Sequence, residues 1–216
     1  MFKIISPSVS HFKQVRQGPW ETVDRTDYKV EIDHEEKAIY ITGQSSREED
    51  WPDNFDFRVR KLKALNQEAK QWFDDRDDIW VHSGFLAQYE AVRRQLLDLA
   101  KQYKDYAIYI FGYSLGGSWT QILWQDIWHR YRDIRVIEGL FYAPGNAWRK
   151  LPKEYRKAFR KHVTYIYCWW DPVTWMRVFR FYRYGKNIRI GKPWRMWPFQ
   201  HNIPQIERAL KEKYGG

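Results

Sequence analysis

A single cysteine, Cys168, serves the whole chain, so no intrachain disulfide framework can hold the fold, and a reducing compartment suits it. Cys168 sits in the apolar run 163–170, where a buried strand residue is expected and not a nucleophile. Long apolar runs are also missing. None approaches the roughly 20 residues that cross a bilayer, and the opening Met1-Phe2-Lys3-Ile4-Ile5-Ser6-Pro7 lacks the apolar core of a secretory signal. The expected location is cytoplasmic or peripheral to a membrane, with secretion after removal of a signal left open. No Cys/His cluster has zinc spacing and no glycine-rich loop suits phosphate, so neither metal nor organic cofactor is expected. No repeat, low-complexity tract or linker divides the 216 residues, and residues 1–216 read as one domain.

Charge and aromatic rings are present in excess. The formal charge is +10, and aromatics make up 19% of the chain with thirteen tryptophans. The cations are clustered: between Ala147 and Arg195 there are fourteen Lys or Arg against two acids, Glu154 and Asp171. Acids dominate residues 47–56 and 74–78. Along residues 175–199 rings and cations interleave, as in Trp175, Arg177, Phe179, Arg180, Phe181, Tyr182, Arg183, Tyr184, Trp194, Arg195 and Trp197. Such a stretch suits a lipid headgroup boundary and equally suits stacked bases of a single-stranded nucleic acid. A solvated basic face and buried rings explain the same residues without any partner.

Tyr28-Lys29-Val30-Glu31-Ile32-Asp33 alternates like a strand. His34-Glu35-Glu36 turns, and Lys37-Ala38-Ile39-Tyr40-Ile41-Thr42 returns, which predicts an antiparallel hairpin. Helical periodicity runs over residues 58–73 and 84–103. Residues 136–143 and 162–170 read as buried strands with a helix over 152–161 between them, and residues 204–213 read as a last helix. Strands alternating with helices after an opening hairpin imply an α/β fold with a mixed sheet. The most informative stretch is Tyr106-Ala107-Ile108-Tyr109-Ile110-Phe111-Gly112-Tyr113-Ser114-Leu115-Gly116-Gly117. It reads as strand, sharp turn and helix, with Gly112-Tyr113-Ser114-Leu115-Gly116 matching G-x-S-x-G. A serine at the apex of such a turn needs Gly112 and Gly116, because a side chain at either place collides with the adjoining strand or helix. The helix start that follows stabilises negative charge. An ordinary strand-to-helix turn with glycines kept for packing produces the same letters.

A serine hydroxyl needs a base, and the base needs an orienting carboxylate. In the α/β-hydrolase order these follow the serine as acid, then histidine. Three histidines follow Ser114. His129 lies on the helix leaving the turn, and His162 opens a predicted strand at the opposite sheet edge. His201, in a loop before the last helix, is the candidate by elimination. Asp171 stands just past the strand of residues 163–170, unlike Asp126 in a helix, Glu138 in a strand or Asp133 in a loop. A turn aspartate that caps the next segment is the alternative role for Asp171.

These pieces together resemble the class 3 lipases, the fungal-lipase-like branch of the α/β-hydrolases. The resemblance runs from about Tyr28 to the C-terminus. Ile39-Tyr40-Ile41-Thr42-Gly43-Gln44-Ser45-Ser46, continuing to Trp51, is similar to the family's strand and oxyanion turn. Val81-His82-Ser83-Gly84-Phe85 is similar to its His-x-Gly-Phe, and Asp171-Pro172-Val173 to its acid element. Gly112–Gly117 matches its Gly-His-Ser-Leu-Gly-Gly except that Tyr113 replaces the usual His. The resemblance implies an α/β-hydrolase fold with a mixed, mainly parallel sheet flanked by helices. It implies Ser114 as nucleophile, Asp171 as acid and His201 as base, with backbone N–H groups of Leu115 and Gln44 forming the oxyanion hole. At the position of Gln44 the family usually has Ser or Thr, whose hydroxyl adds a third donor. His82 is expected to make a structural hydrogen bond at a helix start.

The function expected is hydrolysis of a carboxylic ester, an acyl lipid such as a phospholipid or monoacyl ester, with residues 175–199 touching an anionic membrane surface. Residues 45–57 are a candidate lid, and a plain acidic surface loop fits them equally. A catalytically silent lipase-like interaction module and a basic nucleic-acid-binding protein are the alternatives. No nucleic-acid motif supports the second, and no nucleic-acid partner is expected.

Overall fold

The computed structural model describes residues 6–44, 56–62, 79–134, 136–169, 171–173, 180–192 and 201–215. Its first elements are helix α1 (Val9–Val15), strand β1 (Glu21–Val23) and the hairpin β2 (Thr26–Asp33) and β3 (Ala38–Gly43). Short strands β4 (Val59–Lys61) and β5 (Trp80–His82) lead into the long helix α2 (Ser83–Gln102). Then come β6 (Ala107–Tyr113), α3 (Leu115–Arg130), β7 (Ile137–Tyr142), β8 (Trp148–Lys150) and α4 (Lys153–His162). The chain closes with β9 (Val163–Cys168), β10 (Lys186–Ile190) and α5 (Ile203–Tyr214).

Seven strands form the main sheet in the order β1-β2-β3-β6-β7-β9-β10. The β1–β2 and β2–β3 pairs are antiparallel, and every pair from β3 to β10 is parallel. This is the mixed, mainly parallel sheet expected, opening with the expected hairpin. Central strands of such a sheet are covered on both faces, which is why β6 is buried at all seven positions and reads as an unbroken apolar run. On one face Phe85, Tyr89, Val92 and Leu96 of α2, spaced at three and four residues, pack with Trp119, Leu123 and Trp124 of α3 and Phe159 of α4. On the other, Phe12 and Val15 of α1 meet Ile206 and Leu210 of α5 over Tyr109, Phe111 and Tyr142.

Two expectations are corrected. Residues 59–61, placed in a helix over 58–73, form strand β4, because β4 pairs with β5 in a separate three-stranded sheet with β8; the rest of that stretch beyond residue 62 lies outside the described residues. His162 ends α4 and does not open a strand; its Nδ1 lies 2.9 Å from Glu138 Oε1. Among the described residues no helix is long and apolar enough to cross a membrane.

Parallel pairing brings the ends of β3, β6, β7 and β9 to one edge. Gly43 lies opposite Gly112, Tyr113 opposite Tyr142, and Ile166 opposite Tyr142. Whatever follows each strand is therefore delivered to the same place.

Candidate active site

Ser114 follows the last residue of β6 and adopts φ 53°, ψ −122°. A positive φ strains a residue with a side chain, and the surroundings must hold it there. They do so from three sides. The Ser114 N–H donates to Tyr142 O at 3.0 Å, and Ser118 N and Oγ both donate to Ser114 O at 3.0 and 2.8 Å. Ser118 Oγ also accepts from Gly145 N at 2.7 Å, which ties the turn to the loop after β7. Gln121 adds a second tie, its Nε2 donating to Gly117 O and Gly145 O at 2.9 and 3.0 Å. The flanking glycines are required by contact: a Cβ on Gly112 would stand 2.4 Å from Gly117 N. Sequence reasoning missed Ser118 and Gln121, whose only trace is their place one and two turns along α3.

The three residues selected for a triad come together. Asp171 follows β9, is fully buried, and accepts from Val173 N at 3.0 Å through Oδ1. That bond is the turn role foreseen as the alternative, and it coexists with the other: His201 Nδ1 lies 2.9 Å from Asp171 Oδ1 and 3.0 Å from Oδ2. His201 Nε2 lies 2.7 Å from Ser114 Oγ. With Nδ1–H donated to the carboxylate, Nε2 is the ring acceptor and the serine hydroxyl donates to it. His201 is placed by the start of α5, where the Asn202 side chain caps Gln205 N at 3.1 Å. The other two histidines are elsewhere, His129 beside Tyr155 and His162 beside Glu138.

Leu115 is the first residue of α3, so its N–H points out of the helix start beside Ser114, in the ready-made position for an anion. Gln44 is a correction. Its backbone N–H donates to Asp27 O at 3.0 Å across the β2–β3 hairpin and is not free to face a reacting carbonyl. Its buried side-chain Oε1 has no hydrogen-bond partner among the described residues. The hairpin register that occupies the N–H is a long-range feature which the local motif does not reveal.

His82 caps α2, its Nδ1 accepting from Phe85 N at 3.4 Å, and its ring stacks on Phe85 at 4.0 Å, as its structural reading expected. Burial lowers its pKa to about 4, so it is neutral. Cys168 is buried, and burial with the nearby Asp171 charge pushes its thiol up to about 12, which keeps it from acting as a nucleophile. Of the basic-aromatic stretch, Phe181 is core and Arg183 lies over the Tyr167 ring at 4.0 Å. Residues 175–179 and 193–199 of it, and residues 45–55 of the candidate lid, lie outside the described residues. Among the described residues no group of His, Cys, Asp or Glu is placed to hold a metal ion.

A strained serine between strand and helix at the carboxyl edge of a mainly parallel sheet, met there by residues from two later loops, defines an α/β-hydrolase. The profile of one family within that class, Lipase (class 3), matches residues 38–180. The chain belongs to the class 3 lipase family. No curated protein matches the chain. Solved structures show the same fold. Rhizomucor miehei triacylglyceride lipase superimposes with a TM-score of 0.61 at 20% identity, over 81% of this chain and 66% of that one. Lip2 lipase from Yarrowia lipolytica gives 0.57 at 19% identity, over 78% and 63%. A triacylglycerol lipase from Penicillium expansum gives 0.55 at 17% identity, over 77% and 65%. The chain thus covers just under two thirds of the length of these lipases.

Proposed function

We propose that the protein is a carboxylic ester hydrolase of the lipase type, and that Ser114, Asp171 and His201 are its catalytic triad. The observation that carries the reading is the continuous relay from Asp171 through His201 to Ser114 Oγ, with no contact longer than 3.0 Å. Membership of a lipase family makes an ester the substrate class. In a triacylglycerol lipase of similar structure, a serine protease triad forms the catalytic centre.

Ser114 Oγ attacks the ester carbonyl as His201 Nε2 takes its proton, and Asp171 stabilises the imidazolium and fixes its tautomer. The tetrahedral oxyanion is held by the Leu115 N–H at the positive end of α3. Collapse expels the alcohol, which takes the proton from His201. A water, deprotonated by His201, then releases the acyl group and restores Ser114. The relay is assembled in this structure, which gives a catalytically silent module no support.

The finer reading is an acyl-lipid substrate, a phospholipid or monoacyl ester, approached from an anionic membrane surface. Its support is charge. Arg180, Lys186, Arg189 and Lys192 are exposed on the described part of the basic stretch. Arg189 lies 4.5 Å over the ring of Trp169, itself 37% exposed. A ring beside a cation at the surface suits a headgroup boundary. Labelling with a fluorophosphonate probe, with Ser114→Ala as control, tests the chemistry; p-nitrophenyl esters of graded length then size the acyl site. Labelling absent from folded wild-type protein, both in water and with lipid vesicles, counts against the hydrolase. Binding to anionic vesicles that ignores rising salt counts against the surface.

A further inference from the structure

Tyr113 ends β6 and immediately precedes Ser114. Its side chain leaves the sheet on the face covered by α1 and α5. The hydroxyl donates to the backbone oxygen of His201 at 2.6 Å. The phenol ring lies almost parallel to the His201 imidazole, with centroids 5.5 Å apart and 17° between the planes. Phe12 of α1 meets the same ring edge-on at 5.4 Å and 85°, and the side chain is buried. No group of the proposed mechanism uses Tyr113.

We propose that Tyr113 is a positioning residue for His201: its hydroxyl fixes the backbone that carries the base, and its ring fixes the plane of the imidazole. The inference rests on the triad reading above and deepens it. Asp171 alone, gripping Nδ1, fixes one end of the ring and leaves its pivot free. A second restraint on the backbone is needed to set the distance from Nε2 to Ser114 Oγ, and rates fall steeply when reacting groups are misplaced. Tyr113 supplies that restraint from the residue bonded to Ser114 itself, so any shift of the turn moves the nucleophile and the tether of the base together. Burial, reinforced by the charge of Asp171, pushes the phenol well up from its ordinary value, so it stays a donor at every working pH. α1 supports the arrangement from behind: Phe12 wedges the phenol, and Arg16 Nη1 pairs with Glu207 Oε1 of α5 at 3.3 Å.

The test is Tyr113→Phe in the full chain, which keeps the ring and its packing and removes only the hydroxyl. Steady-state hydrolysis of a short p-nitrophenyl ester, normalised by fluorophosphonate titration of active sites, is compared with thermal unfolding. The expected result is a kcat about tenfold lower with KM within about twofold. A kcat equal to wild type, with at most a lower Tm, shows a packing role only and overturns the inference. A double-mutant cycle with His201→Ala separates the two further. If Tyr113 acts through His201, adding Tyr113→Phe to His201→Ala leaves the residual rate unchanged; a further tenfold loss there overturns the inference. Wild-type protein that neither labels nor turns over removes the triad reading and this inference together. Wild-type protein that does both, beside an unaffected Tyr113→Phe, removes this inference alone.

Discussion

A Cβ on Gly116 would stand 2.2 Å from the carbonyl oxygen of Gly43, at the point where the first turn of α3 crosses the end of β3. That approach packs the serine turn against the hairpin and has no slack. Backbone, not a movable side chain, is what the added carbon meets. Gly116→Ala is expected to destabilise the protein by about 3 kcal/mol or more, the upper range for overpacking a close contact. Thermal unfolding of the purified variant measures it, and a Tm within a degree of wild type contradicts the geometry.

Ser114→Ala removes the nucleophile without touching the turn's hydrogen bonds, none of which uses the Ser114 side chain. Activity is expected to fall by at least about 10⁴-fold with the fold intact. Asp171→Asn keeps the shape of the relay and removes the charge that stabilises the imidazolium, and a loss of similar size is expected. Circular dichroism alongside ester hydrolysis checks both, and substantial turnover by either variant refutes the assigned role.

The parts of this site that were legible in the sequence are those with local grammar. Strained serine geometry demands Gly112 and Gly116 within four residues, so the turn reads itself. Asp171 is legible because a strand ends just before it, and His201 because the remaining histidines sit on elements that lead elsewhere. What was not legible depends on pairing at a distance. β4 is three residues long and exists because β5 pairs with it, and β5 has β8 on its other side. α1 is seven residues long and is anchored by Phe12 and Val15 in a core built from β6, β7 and α5. The family resemblance implies Gln44 in an oxyanion hole, while its N–H is occupied by a strand partner seventeen residues earlier. Tyr113 was visible as an unusual letter, but its purpose depends on a carbonyl 88 residues away.

Asp126, set aside as a catalytic acid because it lies on a helix, anchors a buried charge cluster. Its Oδ2 accepts from Tyr89 Oη and Arg93 Nε, each at 2.7 Å, and its Oδ1 from Arg130 Nε at 2.6 Å. Removing the anion takes the carboxylate away from the Arg93 and Arg130 guanidinium groups between α2 and α3. Asp126→Ala is expected to cost about 3–5 kcal/mol, the usual penalty for breaking a buried pair. Because the cluster does not touch the serine, kcat of the folded fraction is expected to stay near wild type. A combined denaturant and kinetic measurement checks it, and a selective loss of kcat would place the cluster in the chemistry.

Acid should weaken this protein through two histidines, the buried His82 and the half-buried His11. Burial lowers both His82 and His11 to about 4, with Lys29 adding to the effect at His11, against about 6.5 in an unfolded chain. Above pH 6.5 each is neutral in both states and contributes no pH dependence. Between 6.5 and 4 the unfolded chain takes up protons that the fold refuses. Stability therefore falls with pH through that window, by up to about 1.4 kcal/mol per pH unit for each histidine, and levels off below 4. Asp56, held low by Arg58, loses its stabilisation only once the pH drops below its ordinary value of 3.8, outside a scan from pH 7 to 4.5. Glu138 opposes the trend, since burial raises it while His162 holds it back. His82→Asn isolates one contribution, because Asn keeps an acceptor for the cap of α2 and has nothing to titrate. The variant is expected to be less stable than wild type at pH 7, for lost ring packing, yet to lose stability more slowly on acidification. Tm measured at half-unit intervals gives the two slopes. Equal slopes would mean that His82 is not the group whose neutral form the fold requires.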